Sequence, residues 1–143
     1  MNWRHLFFGF DGRIGRTPFW IAMAVLFVAE LVSFSLGYGR GDERLSSILE
    51  LLILYPETAV LLKRAHDRDM PELVVVAYVA LAVLFTGLTV LGLGGTAENP
   101  SMLYWLVGLP VMGLALYLLV DLGFRPGVSG PNRHGPDPLQ GKT

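Results

Sequence analysis

The stretch Leu61–Glu72, LLKRAHDRDMPE, decides the fold. An apolar run gives way here to Lys63, Arg64, His66, Asp67, Arg68 and Asp69, and Pro71 follows. If the run before this cluster crosses a bilayer, the cluster surfaces on one side. If it lies along the bilayer, every later loop changes sides.

Working outward, residues 73–95 contain no charged side chain, and neither do residues 99–120. A segment of about 20 such residues, at 1.5 Å each, matches a hydrocarbon core of about 30 Å. Upstream, Phe19 to Tyr38 is broken only by Glu30. Charged residues make up 16% of the 143-residue chain, against about 25% in ordinary soluble domains. The expected membrane helices are residues 19–38, 45–62, 73–94 and 102–120. The second is the least regular, since it holds Glu50, Glu57 and Pro56, a residue that kinks helices.

Charge placement settles whether that second segment crosses, because Lys and Arg concentrate in cytoplasmic loops. Four crossings from a cytoplasmic N-terminus put nine basic residues inside: Arg4, Arg13, Arg16, Lys63, Arg64, Arg68, Arg125, Arg133 and Lys142. Only Arg40 and Arg44 fall outside. Three crossings would leave three inside and eight outside. The expected fold is therefore all-α, a single 1–143 domain forming an integral membrane bundle of four transmembrane helices, with both termini cytoplasmic.

The flanking segments complete this reading. In NWRHLFFGFDG, residues 2–12, Trp3, Leu6, Phe7 and Phe10 share one helical face. The segment is too short to span, so a short interfacial N-terminal helix is expected. Pro18 suits a first helical turn with Thr17 as N-cap, and Ser46 or Ser47 can cap the second span. The tail 125–143 is too rich in Gly and Pro for regular structure, although Asn132 and Asp137 are turn formers that favour a compact loop.

A net charge of −1 gives no basic stripe for nucleic acid. The lack of cysteine removes disulfides and thiolate metal sites. No cleavable signal peptide is expected ahead of the first apolar run.

Three polar signatures emerge on the same side: GRIGRTPFW at 12–20, Pro56 followed by KRAHD at 63–67, and GPNRHGPDP at 130–138. In this order the chain resembles the DUF805 family over residues 10–138. The resemblance implies a small multi-pass protein of the bacterial inner (plasma) membrane and lends no reaction. Gly15, Lys63, Ala65 and His134 stand where the family pattern has Ser, Arg, Leu and Tyr, and a tryptophan often found after the HD turn is missing.

The candidate cytoplasmic cluster is Arg13, Arg16, Arg64, His66, Asp67, Asn132 and Asp137. Guanidinium groups bind phosphates and carboxylates bidentately, and the cluster is expected to be held by Arg–Asp pairs. On a continued helix, Lys63 and Arg64 would both neighbour Asp67. Arg4, Arg68 and Arg125 read as anchors to headgroups. His66 with Asp67, or His134 with Asp137, has the residue types of a metal site. No H-x3-H spacing exists, and arginines compete for the carboxylates, so no metal, cofactor or catalytic residue is expected.

Within the membrane stand Glu30, Glu50 and Glu57. A charge at this depth costs at least about 2.5–3.5 kcal/mol unless it is paired, hydrated or neutralised. The function expected is non-enzymatic: binding of membrane lipid headgroups or a protein partner, including a second copy of the chain. The alternative is a small transporter or channel subunit using the three glutamates. Third is a membrane enzyme acting on a lipid or phosphate substrate through His66 and Asp67.

Overall fold

The computed structural model describes residues 2–39, 42–95 and 99–140. Arg40 and Lys142, which entered the charge count, lie outside the described residues. Five helices follow in order: α1 Trp3–Phe8, α2 Arg16–Tyr38, α3 Glu43–Asp67, α4 Glu72–Val90 and α5 Met102–Phe124. No β-strand occurs among the described residues. The last four helices are each long and apolar enough to cross a membrane.

The least regular segment in sequence is the central one in space. Helix α3 packs against each of the other four helices, whereas α5 rests mainly on α4. Pro56 is accommodated without a break, and α3 runs on to Asp67 rather than stopping near Leu62. Helix α5 likewise extends a turn past Val120, to Phe124. Helix α4 is shorter than the charge-free run. It ends at Val90 because Gly92 adopts φ 72° and Leu93 N–H bonds back to the Leu88 carbonyl. That is the left-handed glycine stop of a Schellman motif.

Capping also departs from expectation. Thr17 lies inside α2, whose N-cap is Gly15. Asp42, rather than Ser46 or Ser47, caps α3 by accepting from Leu45 N–H at 3.0 Å. The two serines are buried inside α3, where the Ser46 carbonyl accepts from Ser33 Oγ of α2. A side chain at Gly37 would collide with Ser46, so the close approach of α2 and α3 at this end needs glycine.

The tightly packed core lies toward the other end of the bundle. Phe19, Ala22 and Leu26 of α2 meet Val60, Leu61 and Ala65 of α3, Val75 and Tyr78 of α4, and Leu118 and Leu122 of α5. Along the outer faces, large apolar side chains such as Phe27, Leu52, Leu84 and Leu106 are exposed. Lipid can cover such a surface, and the intrahelical hydrogen bonds leave no backbone donor to satisfy there.

Candidate functional site

Three helix C-termini, those of α1, α3 and α5, converge at the tightly packed end. Each leaves carbonyls with no partner inside its own helix, and each carries the negative end of a helix dipole. Burying three such ends together requires donors and positive charge. The signature residues supply both.

Lys63 is fully buried, and its ammonium donates to the carbonyls of His5, Leu6 (2.6 Å) and Gly9 (2.7 Å). Its three donors therefore close the end of α1. Arg64, also fully buried, donates through Nε to the Leu122 carbonyl at 2.7 Å and through Nη2 to the Arg125 carbonyl at 2.6 Å. Trp20 Nε1 takes the Gly123 carbonyl at 3.0 Å, so α5 is sealed by side chains of α2 and α3. The end of α3 is closed by the flanking segments: Val128 N–H donates to the Asp67 carbonyl at 2.8 Å, and Asn132 Nδ2 to the His66 carbonyl at 2.9 Å.

Two carboxylates balance the cations. Asp67 accepts from Arg64 Nη1 and from Arg13 Nε at 3.1 Å. Asp121 accepts from Arg68 Nε at 3.2 Å and lies 2.9 Å from Arg125 Nη1. Both carboxylates are buried. Arg13 spends its remaining donors on tail carbonyls, Gly130 at 2.7 Å and Val128 at 2.6 Å. Among the described residues no buried side-chain nitrogen or oxygen lacks a partner.

The tail forms a compact loop. Asn132 and Gly135 exchange backbone hydrogen bonds, and the Asp137 carboxylate accepts the N–H groups of Gly130 and Leu139, both at 2.9 Å. Those two bonds hold the Asp137 carboxyl below the ordinary aspartate range. Gly127 passes directly over Asp67, where a Cβ would strike the carboxylate.

The structure thus brings together six of the seven candidate residues: Arg13, Arg64, His66, Asp67, Asn132 and Asp137 lie in one network or its supporting loop. Arg16 stands apart. It is exposed and has no hydrogen-bond or ion-pair partner among the described residues. It lines a cavity of about 630 Å³ with Arg13, Asn2, His5, Leu6 and Ile21.

Three expectations need correction. Lys63 does not pair with Asp67 but turns to α1, because Arg13 and Arg64 already occupy the carboxylate. Arg68 and Arg125 are not simple headgroup anchors, since Asp121 binds both. Among the described residues Asp137 pairs with no arginine and serves its own loop. Sequence reasoning missed Asp121 because the last span was drawn to stop before it. Its i,i+4 spacing from Arg125 was the available signal.

Of the three intramembrane carboxylates, Glu30 and Glu57 line a common cavity of about 250 Å³ with Tyr78, whose hydroxyl donates to Glu57 at 3.0 Å. Glu57 therefore faces α4 rather than the arginines, and Glu50 is not on that lining.

Comparison with known proteins places this architecture. The family profile described as "Protein of unknown function (DUF805)" matches residues 7–136. The chain is similar to the uncharacterized protein YiiR of Escherichia coli strain K12, with 37% identity over 136 residues, covering 91% of this chain and 86% of that protein. YiiR of Escherichia coli O157:H7 matches to the same extent. No solved structure matches.

Proposed function

The chain belongs to the DUF805 family, and from that premise we propose a non-enzymatic protein of the bacterial inner membrane whose charged, cytoplasmic end holds anionic lipid headgroups. The single observation behind this reading is Arg16. Arg13, Arg64, Arg68 and Arg125 are engaged by carboxylates, and Arg133 by His134. Among the described residues Arg4 of α1 and Arg16 are left at this end as cations without a partner, and of the two Arg16 stands at the start of a membrane helix. Its cavity is polar at Asn2, His5 and Thr17 and apolar at Leu6, Pro18 and Ile21. A phosphate near Arg16 with its acyl chain running past Ile21 matches that division. Inner-face headgroups are the partner that such a juxtamembrane cation meets first.

The network itself speaks against catalysis. Asp67 is held by two guanidinium groups, and both ring nitrogens of His66 are engaged, by Gly12 and Glu72.

Native mass spectrometry of the full chain, equilibrated with phosphatidylglycerol or phosphatidylcholine, tests the proposal. Wild type is expected to retain the anionic lipid preferentially. Arg16→Gln is expected to lower that retention about fivefold, the equivalent of roughly 1 kcal/mol per basic residue, with unchanged thermal unfolding. Equal retention of the two lipids by wild type overturns it.

A further inference from the structure

His66, Glu72 and His134 meet at the rim of the charged network, one potential ligand atom from each lying within 4.8 Å of the others. They come from the last turn of α3, the first residue of α4 and the tail turn around Asn132. Nothing in their sequence spacing brings them together; the folding of the tail onto the α3–α4 corner does.

The proton count at His66 is the telling feature. Its Nδ1 lies 3.0 Å from the Gly12 carbonyl, which can only accept, so that nitrogen carries a proton. In a neutral ring Nε2 then bears a lone pair. Yet Nε2 lies 3.0 Å from Glu72 Oε1, a second acceptor. Two lone pairs facing each other at that distance call for a cation, either a proton or a metal ion.

Two observations favour the metal. An Nδ1–H held by a backbone carbonyl is the arrangement that orients metal-binding histidines and aims Nε2 at the ion. His134, the third member, stacks on His66 with ring centroids 3.8 Å apart. Arg133 Nε donates to His134 Nε2 at 2.9 Å, so that nitrogen bears a lone pair, the form that coordinates.

We propose that His66, Glu72 and His134 form a binding site for one divalent transition ion of the zinc type, with water completing the coordination. Two imidazoles and a carboxylate suit Zn²⁺, Co²⁺ or Ni²⁺; magnesium and calcium prefer all-oxygen shells, and Cu⁺ prefers sulfur. Bonds of about 2.0–2.1 Å place tetrahedral donors about 3.4 Å apart, so His66 Nε2 and Glu72 Oε1, now 3.0 Å apart, open slightly to admit the ion. His134 also turns out of its stack, because rings only 8° from parallel cannot point in-plane lone pairs at one ion. Arg133 now donates to His134 Nε2 at 2.9 Å and approaches Asp69 at 3.6 Å, so it has an acceptor when His134 moves. The side chains of Glu72 and Arg133 are mostly exposed, which leaves the ion a path from water.

The test uses untagged full-length protein in detergent micelles, stripped with chelator, near neutral pH. Titration with ZnCl₂ by calorimetry is expected to give one equivalent, and CoCl₂ a visible absorption band of low-symmetry coordination. His134→Ala and Glu72→Gln remove surface-accessible ligands and are each expected to weaken binding at least about tenfold, with thermal unfolding showing that both remain folded. Absence of stoichiometric Zn²⁺ binding overturns the proposal, as does binding undiminished in His134→Ala. Stability that follows pH but ignores Zn²⁺ assigns the gap between His66 and Glu72 to a proton, and also overturns it.

Discussion

Asp67 joins three parts of this structure. Its carboxylate neutralises Arg13 and Arg64, its backbone carbonyl receives Val128, and Gly127 is packed against it. Removing one member of a buried ionic network leaves uncompensated charge, which costs about 3–5 kcal/mol. Asp67→Ala is therefore expected to lower thermal stability in micelles by that order. Asp67→Asn is expected to recover only part of the loss, since it keeps an acceptor but not the charge. Equal unfolding midpoints for Asp67→Ala and wild type would contradict the ionic account. At this scale sequence reading succeeded where partners are local: Arg64 and Asp67, three apart on a helix, do pair. It failed where a distant competitor decides. Lys63 has the i,i+4 spacing to reach Asp67, but Arg13, 54 residues away in sequence, takes the place. A spacing rule counts neighbours on one helix and has no knowledge of what folds onto it.

Among the elements, α1 depends most on what surrounds it. Six residues cannot sustain a helix in isolation. Asn2 closes its start by accepting from His5 N–H at 3.2 Å, and Lys63 closes its end. Lys63→Met keeps the length and apolar stem and removes the three donors. The expected result is faster amide exchange across residues 3–8 than in wild type, with the cores of α2 to α5 unchanged. Unaltered protection in α1 would show that Leu6 packing alone holds it. The helical face of Trp3, Leu6, Phe7 and Phe10 was legible as periodicity, because a repeat of 3.6 needs only side-chain types. Its anchor was not, since nothing in residues 2–12 points to a lysine in α3. Helix ends were blurred for a similar reason. Charge-free runs measure what lipid tolerates, whereas α4 stops at a left-handed Gly92 and α5 continues through Asp121 because Arg68 and Arg125 accompany it.

For the whole molecule, the decisive quantity is the parity of the crossings. Contacts of Arg13 with Asp67 and Gly130, and of Arg64 with the end of α5, put the three signatures at one end of the bundle. An even number of spans between them is the arrangement that permits this, and it agrees with the excess of basic residues assigned to one side. That parity was readable because it depends on summed charge rather than on any one contact. Which end faces the cytoplasm is a separate proposition, with its own test. The chain has no cysteine, so single introduced thiols report without background. Asp11→Cys and Ser129→Cys lie at the charged end, and Leu91→Cys at the other, all on exposed residues. In intact spheroplasts a membrane-impermeant maleimide is expected to label position 91 and to spare positions 11 and 129 until the membrane is permeabilised. Labelling of 11 and 129 in intact spheroplasts would invert the protein and expose Arg16 to the outer face, removing the inner-leaflet lipids from reach. Labelling of only one of those two would break the even count itself, because a folded network joining Arg13 to Gly130 cannot have its neighbours on opposite sides of a bilayer.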